Sequence, residues 1–119
     1  MLRRLSALVL VALVLAAVPA FADKARDGAR AEVEFGIKVA QKGLWREAIF
    51  RFKKAVELDP SYAAAWNNLA IGYEREGEFE SARDAYEKAL KLDAKSTFIH
   101  QNYDFFKDIN DRAKRRTSR

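Results

Sequence analysis

The sequence predicts an all-α domain, a short α-solenoid of two helix-turn-helix repeats followed by a capping helix. Three observations predict it. The first is internal repetition: shifting the chain by 34 residues lays residues 29–62 on residues 63–96 with nine identities. They are Ala29/Ala63, Ala31/Ala65, Ile37/Ile71, Gly43/Gly77, Ala48/Ala82, Lys54/Lys88, Ala55/Ala89, Leu58/Leu92 and Asp59/Asp93. A fixed period of this length marks a stacked-repeat architecture. The second is apolar spacing within each unit: Trp66, Leu69, Ala70 and Tyr73 fall at i, i+3, i+4 and i+7, one stripe of an amphipathic helix. The third is punctuation. Gly43 and Gly77 interrupt the stripes at equivalent places, and Asp59-Pro60 stands between the units, where Pro cannot continue one helix and suits the opening of the next.

The elements follow in order. Met1-Leu2-Arg3-Arg4, an aliphatic run from Leu5 to Val18 and then Pro19-Ala20-Phe21-Ala22 have the basic, apolar and small-residue parts of a secretory signal. The expectation is residues 1–22 as a signal peptide cleaved after Ala22, against the alternative of a retained anchor. The run is shorter than the roughly 20 residues that span a bilayer. With no Cys in the chain, no lipid can be attached through a thiol. Residues 23–28 are expected to be a linker. In the first repeat, 29–62, Val33, Phe35, Gly36 and Val39 precede Gly43, and Trp45, Ala48, Ile49, Phe52, Ala55 and Val56 follow it. In the second, 63–96, Phe79, Ala82, Tyr86, Ala89 and Leu90 form the stripe after Gly77. Small residues at Gly36, Ala48, Ala70 and Ala82 leave room for Phe52, Trp66, Tyr73 and Tyr86 across each hairpin. From Thr97 the frame continues for half a unit, with Phe98, Tyr103, Phe106 and Ile109 apolar, so 97–111 is the capping helix and 112–119 a basic tail.

Composition excludes several functions. The 22 Lys and Arg fall to 20 once Arg3 and Arg4 are removed, against 17 Asp and Glu. That balance argues against nucleic acid as a partner, and the excess sits in the last eight residues. The absence of Cys removes thiolate nucleophiles, thiolate ligands and disulfides alike. His100 is the single His and aligns with Trp66 on a packing stripe, which makes it a poor candidate for a base. No His/Asp/Glu cluster has metal spacing, and the acidic run from Glu74 to Glu80 falls at a turn, where a solvated face accounts for it. No catalytic residue, metal or cofactor is expected.

Trp66-x2-Leu69-Ala70-x2-Tyr73, then Ala82-x3-Tyr86-x2-Ala89, resembles the tetratricopeptide repeat, whose pattern is W-x2-L-G-x2-Y, A-x3-F, A, P over 34 residues. The first copy matches at Gly36, Ala48, Phe52, Ala55 and Pro60, but has Glu32, Phe35 and Val39 where Trp, Leu and Tyr are expected. The second loses the terminal Pro to Ala94. The resemblance implies a protein or peptide partner held in a concave groove lined by the first helix of each unit. Carried over by position, the groove residues are Val33, Ile37 and Ala40, then Asn67, Ile71 and Glu74, then Gln101, Phe105 and Asp108.

Some members of that family grip a terminal carboxylate with Lys, Asn and Arg side chains. Here only Asn68 fits, with Val33, Ile37, Phe98 and Asn102 at the other positions, so no such clamp is expected. The expected function is an exported adaptor, in the bacterial periplasm or outside the cell. The alternative is a self-associating subunit of a cell-envelope assembly, because two and a half units leave an open face that a second copy could complete as a homodimer. The basic tail could also contact an anionic membrane surface.

Overall fold

The computed structural model describes residues 2–119, with side chains described from Ala20 onward. Five helices follow one another: α1 (Leu2–Gln41), α2 (Trp45–Leu58), α3 (Ala63–Arg75), α4 (Phe79–Leu92) and α5 (Thr97–Thr117). Among the described residues there is no strand. The apolar run Leu5–Val18, on which the signal expectation rests, lies outside the described side chains. Ala20, Phe21 and Ala22 are exposed.

The hairpins α1–α2 and α3–α4 share one turn. Gly43 and Gly77 adopt φ of 79° and 76°, the left-handed region that an L side chain rarely enters. In the first turn Gly43 N donates to Ala40 O and Leu44 N to Val39 O; in the second Gly77 N donates to Glu74 O and Glu78 N to Tyr73 O. These paired bonds satisfy the last carbonyls of the preceding helix. A Cβ at either glycine would meet nothing within 4 Å, so the residue is needed for its backbone angle and not for space.

Gly36 is needed for space. A Cβ there would clash with the Phe52 ring, which is itself 2% exposed. At the equivalent place in the second hairpin Ala70 and Tyr86 are both buried in the same core. The hairpins differ at one further pair of equivalent positions. Trp66 and Ala85 line one cavity in the second, whereas Glu32 and Arg51 form a 3.5 Å ion pair in the first, with the Arg51 guanidinium 4.3 Å above the Phe35 ring. A large ring and a small side chain have been exchanged for an ion pair whose cation also stacks on Phe35.

The turns between repeats also follow the period. Trp66 Nε1 donates to Pro60 O at 2.8 Å, and His100 Nε2 stands 2.8 Å from Ala94 O, the same six-residue staple one period on. His100 is a structural residue of that turn. At the first turn Asp59 accepts hydrogen bonds from Ser61 Oγ and Ser61 N, and Arg26 reaches it from α1. The Ser61 hydroxyl, against an opposing desolvation and aided by Arg26, holds the Asp59 carboxyl below the usual carboxylate range.

Two boundaries differ from the sequence reading. Residues 23–28 are not a linker; they are helical, and Arg26 also donates to Ser61 Oγ and lies 4.7 Å above the Tyr62 ring. The capping helix does not stop at residue 111, and most of the expected tail is helical, to Thr117. Lys114, Arg115 and Arg116 in the last turn complement the negative end of the helix dipole, so a basic run is compatible with continued helix. Ser96 caps the start of α5 by accepting from Ile99 N. The outward face of α5 is polar. It carries exposed His100 and Asp104, with Lys107 pairing Asp104 at 3.1 Å.

Candidate interaction groove

The first helices of the units, α1, α3 and α5, present two cavities that share Ile71. The first, about 300 Å³, has Ile37, Ala40 and Gln41 of α1 facing Asn68 and Ile71 of α3, with Trp45 and Phe52 of α2 behind. The second, about 580 Å³, has Ile71, Glu74 and Arg75 facing Asn102, Phe105 and Ile109 of α5, with Phe79 and Tyr86 of α4 behind. The floor is apolar and the rim carries amides and one charge of each sign.

The polar groups are held in place. Asn68 Nδ2 donates to Ala64 O at 2.8 Å, an internal bond of α3. Asn102 Nδ2 donates to Asn67 Oδ1 at 3.2 Å, tying α5 to α3 beneath the groove. Tyr86 donates its hydroxyl to Glu74 at 2.9 Å. Burial first, then the charge and hydrogen bond of Glu74, raise the Tyr86 pKa well above that of free tyrosine, so the phenol stays protonated. Arg75 lies 5.2 Å above the Trp45 ring. Among the described residues no group of three or more His, Asp or Glu could hold a metal ion.

The structure brings together Ile37, Ala40, Ile71, Glu74 and Phe105 of the residues read from the sequence. Val33 and Asn67 do not line the groove: they are 5% and 1% exposed and belong to the interior. Gln101 and Asp108 are exposed but border neither cavity, and Asp108 pairs with Arg112 at 2.9 Å. Gln41, Asn68, Arg75, Asn102 and Ile109 were missed. Asn68, Asn102 and Ile109 each stand one residue C-terminal to an expected position. A helical side chain leans toward the N-terminus, so a surface spot is covered by the residue about one position C-terminal to it. The period itself carried the signal, since Asn68 and Asn102, and Gln41, Arg75 and Ile109, are spaced by 34.

Stacked antiparallel hairpins of 34 residues, with first helices lining one open face, define a short helical-repeat scaffold. Family models agree: tetratricopeptide repeat over residues 63–96 and TPR repeat over residues 39–77. The chain belongs to the tetratricopeptide repeat family. It is 37% identical over 89 residues to the type IV pilus assembly protein PilF of Pseudomonas aeruginosa, a match covering 74% of this chain and 35% of that protein. It is 35% identical over 69 residues to an uncharacterized protein of Methanocaldococcus jannaschii, covering 58% of this chain and 80% of that one. A solved structure of Pseudomonas aeruginosa PilF superposes with a TM-score of 0.68 at 34% identity, over 77% of this chain and 40% of that one. The Sgt2 TPR domain from Aspergillus fumigatus superposes with the same score at 20% identity, over 73% of this chain and 59% of that domain, and shows the fold alone. The chain spans about a third of the length of the first curated relatives it matches. Tetratricopeptide repeats generally mediate protein–protein interaction and are typically scaffolds, not enzymes.

Proposed function

We propose that this chain is an exported adaptor that holds a segment of a partner protein across the face formed by α1, α3 and α5. The observation that carries the reading is the pair of adjoining apolar cavities joined at Ile71, beside which Phe105 is left 66% exposed. A large ring so placed, over an apolar floor with amides at the rim, is the arrangement of a binding anchor. The similarity to a pilus assembly protein supports a bacterial envelope setting. Cleavage after Ala22 belongs to the same proposal, and N-terminal sequencing of the exported chain would read it directly.

The test is site-specific photocrosslinking in cells, with a photoreactive residue at Phe105 or Ile37 and a control at Phe50. The control is 53% exposed on α2 and borders neither cavity. The expected result is a crosslinked product of defined mass from positions 105 and 37 and none from 50. Identical products from all three positions, or none from any, would sink the proposal.

Exposure of both Phe98 and Phe105 on α5, at 62% and 66%, favours one second reading, a homodimer through that helix. Light scattering across a concentration series separates the two. A dimer whose melting temperature climbs with concentration supports self-association, and a monomer at all concentrations supports the adaptor.

A further inference from the structure

The basic run is not a loose end attached to the groove. Asn110 is the last buried residue of α5, and the helix continues to Thr117 as an exposed rod. Helical spacing puts Phe105, Ile109, Arg112 and Arg116 on one stripe, at successive steps of four, three and four residues. The apolar floor of the groove therefore runs into a cationic wall along the same face. Arg112, Arg115, Arg116 and Arg119 line a separate concavity of about 290 Å³ there. Asp108 takes up Arg112, while Arg115 makes only a backbone contact, to Asp111 O. From residue 112 to 119 the chain has five basic side chains and no acidic one. Beyond that stretch, Glu80 stands 3.9 Å from Lys114.

We infer that the groove's partner is a protein segment with apolar anchors followed by acidic side chains, the anchors seated at Ile71, Phe105 and Ile109 and the carboxylates at Arg115 and Arg116. The inference rests on the adaptor reading and adds its charge and direction. Seven residues of helix separate Ile109 from Arg116, a rise of about 10 Å. The acidic group then follows the last anchor by about seven residues in a helical partner, or about three in an extended one. Guanidinium groups on a preformed helix suit carboxylates, and such complementarity selects partner and direction more than it adds affinity.

The test uses the full chain and two fluorescent peptides measured by anisotropy. One has paired leucines followed at helical spacing by three glutamates, and the other has glutamines in their place. The expected result is that the glutamate peptide binds about tenfold more tightly at low salt. The preference should disappear in the double variant Arg115→Gln, Arg116→Gln and shrink in high salt. Phe105→Ala should weaken both peptides equally, which reads the groove apart from the charge. Equal binding of the two peptides, still sensitive to Phe105→Ala, overturns the inference and leaves the adaptor reading intact. No binding of either peptide overturns both. Binding to phosphatidylglycerol vesicles that the double variant abolishes, without discrimination between the peptides, assigns the basic run to a lipid surface and also overturns the inference.

Discussion

At the joint between the two hairpins Gly72 of α3 lies against Ile49 of α2; one period later the same positions hold Phe106 of α5 and Arg83 of α4. The first joint is close because a Cβ on Gly72 would stand 2.7 Å from Ile49 Cγ1. The second is filled by rings. Phe106 is 1% exposed, with ring centroids 5.5 Å from Tyr86 and 6.3 Å from both Tyr103 and Phe79, and Arg83 lies 5.9 Å above it. Accordingly α3 approaches α2 more closely than α5 approaches α4. The groove records the difference, with about 300 Å³ beside the tight joint and about 580 Å³ beside the wide one. One repeat period therefore sets where joints fall, and the side chains at the paired positions 72/49 and 106/83 go with how closely the helices pack.

The strongest way to break the contrast is Phe106→Ala, which removes the ring that three others pack against and should cost about 3–5 kcal/mol in chemical denaturation. Gly72→Ala attacks the tight joint from the other side. Overpacking against Ile49 should cost about 1–3 kcal/mol, and the double variant Gly72→Ala, Ile49→Ala should cost less than the sum of its parts.

The turns beneath the joints differ as well. Asp59→Asn should cost about 1.5 kcal/mol at neutral pH by weakening the bonds from Ser61 and Arg26. Because the folded pKa of Asp59 lies below its unfolded value near 3.9, its stabilisation is present above about pH 4 and is lost as pH falls through the folded value. A denaturation series from pH 6 to 2 should be flatter for the variant. Asp93, with Lys95 where Ser61 stands in the first turn, should tolerate the same change within about 0.5 kcal/mol.

A smaller effect than at Asp59 is expected from Tyr86→Phe, about 1 kcal/mol at neutral pH for the hydrogen bond to Glu74. Its sign reverses at high pH. The raised folded pKa gives stability that is fully present below about pH 10 and lost above it, so an alkaline melt should fall later in the variant than in the parent.

The period placed both hairpins, their turn glycines and the start of α5, because identities such as Gly43/Gly77 sit where backbone angles allow little else. It did not reveal that residues 23–28 are helical, since what holds them is Arg26 reaching Asp59, 33 residues away. Of the positions carried over from the family pattern, 37, 71 and 105 border the two cavities. At Asn67, Gln101 and Asp108 the next residue, Asn68, Asn102 or Ile109, borders a cavity instead, because sequence spacing does not show the tilt of side chains along a helix, while Val33 is buried in the core. The Glu32–Arg51 pair was invisible as a substitute for Trp66 and Ala85. Two charges look like solvated residues until the fold brings them together.

Asp104 occupies the place that Gly36 and Ala70 hold in the earlier units, the place where each first helix receives its partner across the hairpin. Its side chain is 68% exposed. A helix laid there would have to strip water from a carboxylate at the point of closest approach, at a cost of several kcal/mol. Growth of the array is thus polar in the grammatical sense: an extra unit could be spliced between residues 62 and 63, where both new seams would be of kinds already present, but it could not be appended after α5 without first rewriting Asp104 as a small residue.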